Sequence, residues 1–277
     1  MKVVVLGAGR MGAQIGVEYL LAGHDVAFSA RDTAAVTERV RDGLALVERL
    51  GRDLGAAGSW RVSADPDIDG VELIVESLPE DLSLKASLLA PLAAAAPAAI
   101  VASNTSSLPI AALGAALGAP ERTIGTHYWN PPLLMPLVEV IPGTATDPRV
   151  VERVVELIES LGKQVVLVER DVPGFIWNRL QLAVMREAVW LAENGVAAPE
   201  TIDTAVREGL ARRWRHVGPF AAAALGGVAT WRQIGENLLP ELSRAQNLAG
   251  LERWLETDEA ELRRLRDRRD AALADEL

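Results

Sequence analysis

The hydrophobic pattern of the first thirty residues changes period twice. Lys2 to Leu6 (KVVVL) is a short, nearly continuous apolar run, as expected of a strand covered on both faces. Met11, Ile15, Tyr19 and Leu20 then recur at helix spacing, Gly23 closes that helix, and Val26 to Phe28 open a second strand. A further helix is expected over 34–54, with Gly43 and Gly51 weakening its continuity. Apolar runs predict more strands at Leu73–Glu76, Ile100–Ser103, Ile124–His127, Leu137–Ile141 and Val165–Val168, with a helix near 148–161. Strands separated by helices predict a mostly parallel, doubly wound sheet with helices on both faces. After "DVPG" (171–174) the character changes: Phe175–Ala192 and Pro199–Arg213 are long helical patterns, and little beyond them reads as strand. The chain is therefore read as α/β in its first part, 1–173, and all-helical in its second, 174–277. A last charged helix carries only Leu255, Leu262, Leu265 and Leu273 as apolar contacts, and Asp258 and Glu261 stand at capping spacing at its start.

Composition narrows the classes. With 277 residues, 49% of them apolar, the chain supports one large or two modest domains. A formal charge of −10 works against a nucleic-acid partner at long range. No apolar run approaches the roughly 20 residues that cross a bilayer, and the chain enters a strand at once, which predicts a cytoplasmic protein with no membrane association. Without cysteine there is neither a disulfide framework nor a thiolate nucleophile, and three scattered histidines make poor evidence for a metal. Only three basic residues are lysines, which reads as genome composition.

Gly7, Gly9 and Gly12 form G-x-G-x-x-G directly after the first strand and at the start of a helix, the context that gives this pattern value. Gly7 supplies the tight turn, Gly9 removes bulk beside a pyrophosphate, and Gly12 permits close helix packing, with Arg10 and Met11 between them. Free N–H groups at the helix start attract phosphate. The pattern predicts a Rossmann-type dinucleotide domain. An acid is usual at the end of the second strand, yet the sequence there is "FSARDTA". Ala30 removes repulsion toward a 2′-phosphate and Arg31 offers it donors, while Asp32 could still turn toward a ribose. NADP(H) is slightly favoured on these residues and NAD(H) stays open.

In "GTHYWNPPLLMPLVEV" (125–140), His127 closes one predicted strand and Glu139 lies in the next, across a proline bend. An imidazole at a strand end can exchange a proton with an alcohol or carbonyl, and a carboxylate can hold its other nitrogen. The same residues also read as a satisfied structural histidine and a surface acid. "ASNTSSL" (102–108) clusters hydroxyls with Asn104, suited either to capping the next helix or to meeting cofactor and substrate. Asn178 opens the first helix of the second part and is a further candidate for holding an oxygen.

"GAGRMG", "VESLPEDLSLK", "ASNTSSL", the His127 segment and "DVPGFIWNRLQ", taken in order, resemble the L-3-hydroxyacyl-CoA dehydrogenase family over nearly the whole chain. The resemblance implies a Rossmann domain followed by a helical domain for substrate binding and dimerisation. It implies His127 as acid/base, Glu139 as its partner, Ser106 and Asn178 on the substrate oxygen, and Glu76 and Glu80 near the nicotinamide. "NRLQLAVMREAVWLAENGV" and "GLARRWRHVGPF" resemble the lambda-crystallin and L-gulonate 3-dehydrogenase branch, which implies a small 3-hydroxy acid as substrate, with Arg213 either facing its carboxylate or covering a domain surface. Trp129, where the family has an aromatic, is expected to shape that pocket. Arg39, Arg41, Arg49 and Arg52 stand where a basic CoA-contacting surface would lie. The expected activity is NAD(P)-dependent interconversion of a 3-hydroxy acid or 3-hydroxyacyl-CoA and its 3-oxo form, by a homodimer. An imine-reducing NADPH enzyme and a non-catalytic cofactor-binding protein of crystallin type are the alternatives.

Overall fold

In the computed structural model, which describes residues 1–53, 57–249, 251–254 and 258–276, eight strands form one sheet in the order β3-β2-β1-β4-β5-β6-β7-β8. They are β1 (Lys2–Leu6), β2 (Asp25–Ser29), β3 (Trp60–Ser63), β4 (Leu73–Glu76), β5 (Ile100–Ser103), β6 (Thr123–Tyr128), β7 (Leu137–Pro142) and β8 (Gln164–Leu167). Pairing is parallel from β3 through to β6. Only β7 reverses against β6, and β8 runs parallel to β7. The chain goes from β1 to β2 on one side and to β4 on the other, so the carboxyl ends of β1 and β4 border the switch point where such sheets bind ligands.

Helices α1 (Arg10–Leu21), α2 (Thr33–Arg49), α3 (Leu82–Ala95), α4 (Ile110–Leu117) and α5 (Pro148–Ser160) connect the strands. Gly43 does not break α2. A Cβ there would press on Val17 Cγ2 at 3.1 Å, so the glycine lets α2 lie close against α1. Gly51, with φ +67°, lies past the helix end. Leu54, where the sequence places the end of that helix, lies outside the described residues, as does Leu255. β3 escapes the sequence pattern because it is a four-residue edge strand with no fully buried side chain. One core cluster joins β1, β2 and β6 to α1 and α2 through residues such as Val5, Ile15, Phe28 and Val40. Another packs Val4, Ile74 and Val101 against Leu89 and Leu113.

Internal contacts divide the chain into one unit of Met1–Ile176 with Arg263–Leu277, and a second of Trp177–Leu262. The second unit is helical: α6 (Trp177–Glu193), α7 (Pro199–Ala205), a π-helical stretch (Val206–Ala211), α8 (Arg212–Trp214), α9 (Pro219–Gly226), α10 (Val228–Leu238) and α11 (Leu251–Trp254). The pattern over 199–213 is thus a helical run with a π segment inserted. Among its described residues only Val189, Ala192, Ile202 and Ala222 bury an apolar side chain. The final helix, α12 (Glu259–Ala274), starts with Asp258 accepting from the Glu261 N–H at 2.7 Å, the cap its spacing predicts. No described helix is long and apolar enough to cross a membrane.

Candidate active site

The glycine loop lies at the switch point. Gly7 has φ +86°, and a Cβ on it would sit 2.6 Å from the Ser77 carbonyl oxygen, because the loops after β1 and β4 touch there. A Cβ on Gly12 would collide with the Gly7 carbonyl. Gly9 is the opposite case: a Cβ there meets no protein atom within 4 Å, so it faces open space. No side chain caps α1, and its first turn has no acidic residue, leaving its N-terminal dipole to an external anion. The loop borders a cavity of about 1000 Å³ that also takes in Arg10, Met11, Ala30, Arg31, Asp32, Glu80, Asn104 and Ser106. A volume of that order suits a dinucleotide's size class, and the glycine cradle fits its pyrophosphate.

At the same sheet edge, β6 and β7 place His127 and Glu139 directly opposite each other in register. Twelve residues apart in sequence, they become cross-strand neighbours on one face. His127 Nδ1 lies 2.6 Å from Glu139 Oε2, and both side chains are buried. The other carboxylate oxygen accepts the Ile176 N–H at 3.0 Å. With Nδ1–H held by the carboxylate, Nε2 is left as an acceptor, and Ser106 Oγ lies 3.2 Å from it. Phe175 packs its ring 5.6 Å from the imidazole, centre to centre. It holds φ +50°, an uncommon backbone state for a residue with a Cβ, and its buried ring and the Val172 carbonyl anchor that turn.

Ser106 is placed by Glu80. Glu80 Oε1 accepts from Thr105 Oγ1 (2.6 Å), the N–H groups of Ser106 (2.8 Å) and Ser107 (2.7 Å), and Ser107 Oγ (2.9 Å). Burial alone would raise the Glu80 pKa, but the Thr105 hydroxyl, the Lys85 ammonium and the Ser107 donors outweigh it and hold the acid at about 2. Lys85, itself buried, lies 2.6 Å from Glu76 Oε1 and 3.3 Å from Glu80 Oε2. Glu76 Oε2 takes the Ser103 hydroxyl. The hydroxyl cluster therefore folds around an acid; the amide that opens α4, Ala111 N–H, goes to Asp171 instead.

Asn104 bridges the strand ends: its Oδ1 accepts the Tyr128 N–H at 2.9 Å, and its amide donates to Ser77 Oγ. Trp129 follows directly after β6, before the Asn130–Pro131 peptide, which is cis. Asn178 stands in the first turn of α6 and Arg213, exposed, in α8, both in the second unit. Arg52 is drawn away from any surface role, because it forms a two-pronged pair with the buried Glu18. Lys85, Phe175 and the Ile176 N–H are absent from the sequence expectations. Lysine scarcity was the available signal: of the chain's three lysines, Lys85 and Lys163 are both buried against carboxylates. Among the described residues, no group of three or more His, Asp or Glu side chains is arranged to hold a metal ion.

Two family models match in tandem: the NAD-binding domain of 3-hydroxyacyl-CoA dehydrogenase over residues 2–172 and the C-terminal domain over 174–262. The chain belongs to the 3-hydroxyacyl-CoA dehydrogenase family. It is an NAD(P)-dependent oxidoreductase of the 3-hydroxy acid and 3-hydroxyacyl-CoA dehydrogenase type, with a buried His127–Glu139 pair. It is 36% identical over 258 residues to the 5-formyl-3-hydroxy-2-methylpyridine 4-carboxylate 5-dehydrogenase of Mesorhizobium japonicum, covering 90% of this chain and 83% of that protein. It is 37% identical over 233 residues to the L-carnitine dehydrogenase of Streptomyces griseus, 82% and 70% of the two chains. A crystal structure of a 5-formyl-3-hydroxy-2-methylpyridine 4-carboxylic acid 5-dehydrogenase, described as an NAD+-dependent dismutase, superposes with TM-score 0.88 at 31% identity, over 99% of this chain and 96% of that one.

Proposed function

We propose that the protein reversibly oxidises a small 3-hydroxy acid at its carbinol carbon, with His127 moving the proton. The observation that carries this reading is the single line from Glu139 through the imidazole to Ser106, at 2.6 and 3.2 Å. Glu139 fixes the ring so that Nε2 faces the space beside Ser106. Nε2 takes the hydroxyl proton as the alcohol is oxidised and returns it in the reverse direction. Glu139 stabilises the imidazolium that forms, and Ser106 donates to the reacting oxygen. A nicotinamide dinucleotide bound along the glycine loop supplies the hydride acceptor. Asn178, Trp129 and Arg213 are assigned to substrate, with Arg213 on its carboxylate, and Glu80 and Asn104 hold the loop walls around the cofactor. Residues 1–173 serve as the dinucleotide domain and 174–277 as the substrate-binding and dimerising domain of a cytoplasmic enzyme.

A free acid is favoured over a CoA thioester. The ground for this is that the second-domain motifs resemble the lambda-crystallin and L-gulonate branch. Cofactor use tilts to NADP(H), with NAD(H) accepted, because Arg31 follows Ala30 where an acid is usual. A second substrate reading has its own support in the superposition over 99% of the chain: an aromatic aldehyde acid. There His127 would take a proton from the aldehyde hydrate as its C–H hydride leaves, giving the carboxylic acid.

Crossing both cofactors with 3-hydroxy acids, 3-hydroxyacyl-CoAs and pyridine aldehyde acids, followed spectrophotometrically, tests these readings. Turnover of a free 3-hydroxy acid supports the first, and turnover confined to the aldehyde supports the second. Turnover confined to CoA thioesters contradicts the preference for a free acid. Reduction only when an amine accompanies the carbonyl would favour the imine alternative. Intact dinucleotide binding without any turnover would favour a non-catalytic protein.

A further inference from the structure

We infer that Arg31 and Arg39 form a clamp for the 2′-phosphate of NADP(H), and that Asp32 is withdrawn from it. This rests on the dinucleotide reading of the glycine-loop cavity and concerns which dinucleotide that cavity takes. Selectivity for the unphosphorylated cofactor comes from a carboxylate at the end of β2 that accepts both ribose hydroxyls. The residue after β2 is Ala30, whose half-buried methyl lines the cavity. It accepts no hydrogen bond and puts no negative charge beside a phosphate.

The nearest acid is Asp32, which lines the same cavity. Its Oδ1 accepts the Ala35 N–H at 3.0 Å, as the cap of α2. The carboxylate is thus held over the positive end of its own helix, which offsets part of its charge. A ribose hydroxyl would have to compete with that amide.

Besides Arg10 at the glycine loop, two cations border the space. Arg31 sits between Ala30 and the cap. Arg39 lies on α2 three residues after Val36, so the two share a helix face, and both line the cavity. Arg39 was open to a CoA-surface reading from sequence; its place at this cavity moves it to the cofactor. Among the described residues neither guanidinium forms an ion pair or hydrogen bond. Arg52 and Arg149, by contrast, are spent on Glu18 and Asp147. Two uncommitted planar forks facing one cavity, in a chain of net charge −10, suit a phosphate dianion better than the neutral ribose hydroxyls of the unphosphorylated cofactor.

Calorimetric titration of the full chain with 2′,5′-ADP and with 5′-AMP, which differ only by the 2′-phosphate, tests the clamp without reference to turnover. The wild type is expected to bind 2′,5′-ADP at least roughly tenfold more tightly, as one or more charge-assisted contacts imply. Arg31→Ala and Arg39→Ala should each remove most of that preference and leave 5′-AMP affinity nearly unchanged. Both side chains are exposed, so the variants should keep the fold, which circular dichroism checks. Ala30→Asp should invert the preference. Equal wild-type affinity for the two probes would overturn the clamp and leave the dinucleotide site and the His127 relay standing. A preference that survives Arg39→Ala would overturn the two-armed form of it. Failure of both probes to bind would overturn the dinucleotide reading and the clamp together.

Discussion

Four hydrogen bonds converge on one oxygen of Glu80, and they decide where Ser106 stands relative to His127. The folded acid, at about 2, lies below its ordinary 4.5, so its contribution to stability is fully present above that ordinary value and is lost as pH falls toward about 2. Glu80→Gln should therefore be less stable than wild type by a constant margin near neutrality, with the margin closing across that acid window. Denaturant unfolding at a series of pH values checks this, and a margin unchanged down to the acid limit would contradict it. Glu139 calls for a different readout. Glu139→Gln keeps the side chain's size and an acceptor for the Ile176 N–H but removes the charge facing the imidazole. We expect turnover to fall by roughly 10²–10⁴-fold, the range for losing general-base function or the correct tautomer, with a normal far-UV spectrum. Turnover within a few-fold of wild type would show that the carboxylate has only a packing role.

At the scale of elements, the β6–β7 connection is held by buried charge. Lys163 Nζ lies 2.6 Å from Glu18 of α1 and donates to the Pro132 and Met135 carbonyls, pinning the β6–β7 connection behind His127. Burial lowers the Lys163 pKa, opposed by Glu18. Lys163→Met would leave Glu18 with Arg52 alone and two carbonyls without their donor. A loss of about 3–5 kcal/mol in unfolding free energy is expected, as for breaking a buried pair, and a loss under 1 kcal/mol would contradict that role. The glycine loop gives a sharper contrast. Gly9→Ala should leave stability within about 0.5 kcal/mol, since its Cβ meets no protein atom, while dinucleotide affinity falls sharply. Gly12→Ala should lower both, because its Cβ strikes the Gly7 carbonyl. The strands with continuous apolar runs, the glycine loop and the His127–Glu139 pair were legible in the sequence, since each rests on a period or a short spacing. β3 was not, being a half-exposed edge, and neither was the Glu80 hub, whose donors lie 25–27 residues away and whose partner Lys85 passed for ordinary composition. The turn at Phe175 that sends the Ile176 N–H to Glu139 has a backbone conformation that side-chain pattern does not encode.

Over the whole molecule, the helical second unit buries few apolar side chains and exposes many, among them Phe220 at 91%, Leu225 at 79% and Val228 at 67%. Exposed apolar side chains of this kind are what the proposed homodimer would cover. Sedimentation should show a dimer for the wild type and a shift toward monomer for Phe220→Asp; a wild-type monomer at working concentrations would contradict the dimer. The proposed division of labour is also a whole-molecule property: with the dinucleotide assigned to one cavity and the proton to one imidazole, the two functions should separate on mutation. Single-turnover hydride transfer by His127→Ala, read beside the calorimetric dissociation constant for the dinucleotide, tests this most directly. The transfer rate should drop by roughly 10²–10⁴-fold with cofactor affinity unchanged. An undiminished rate would contradict the relay.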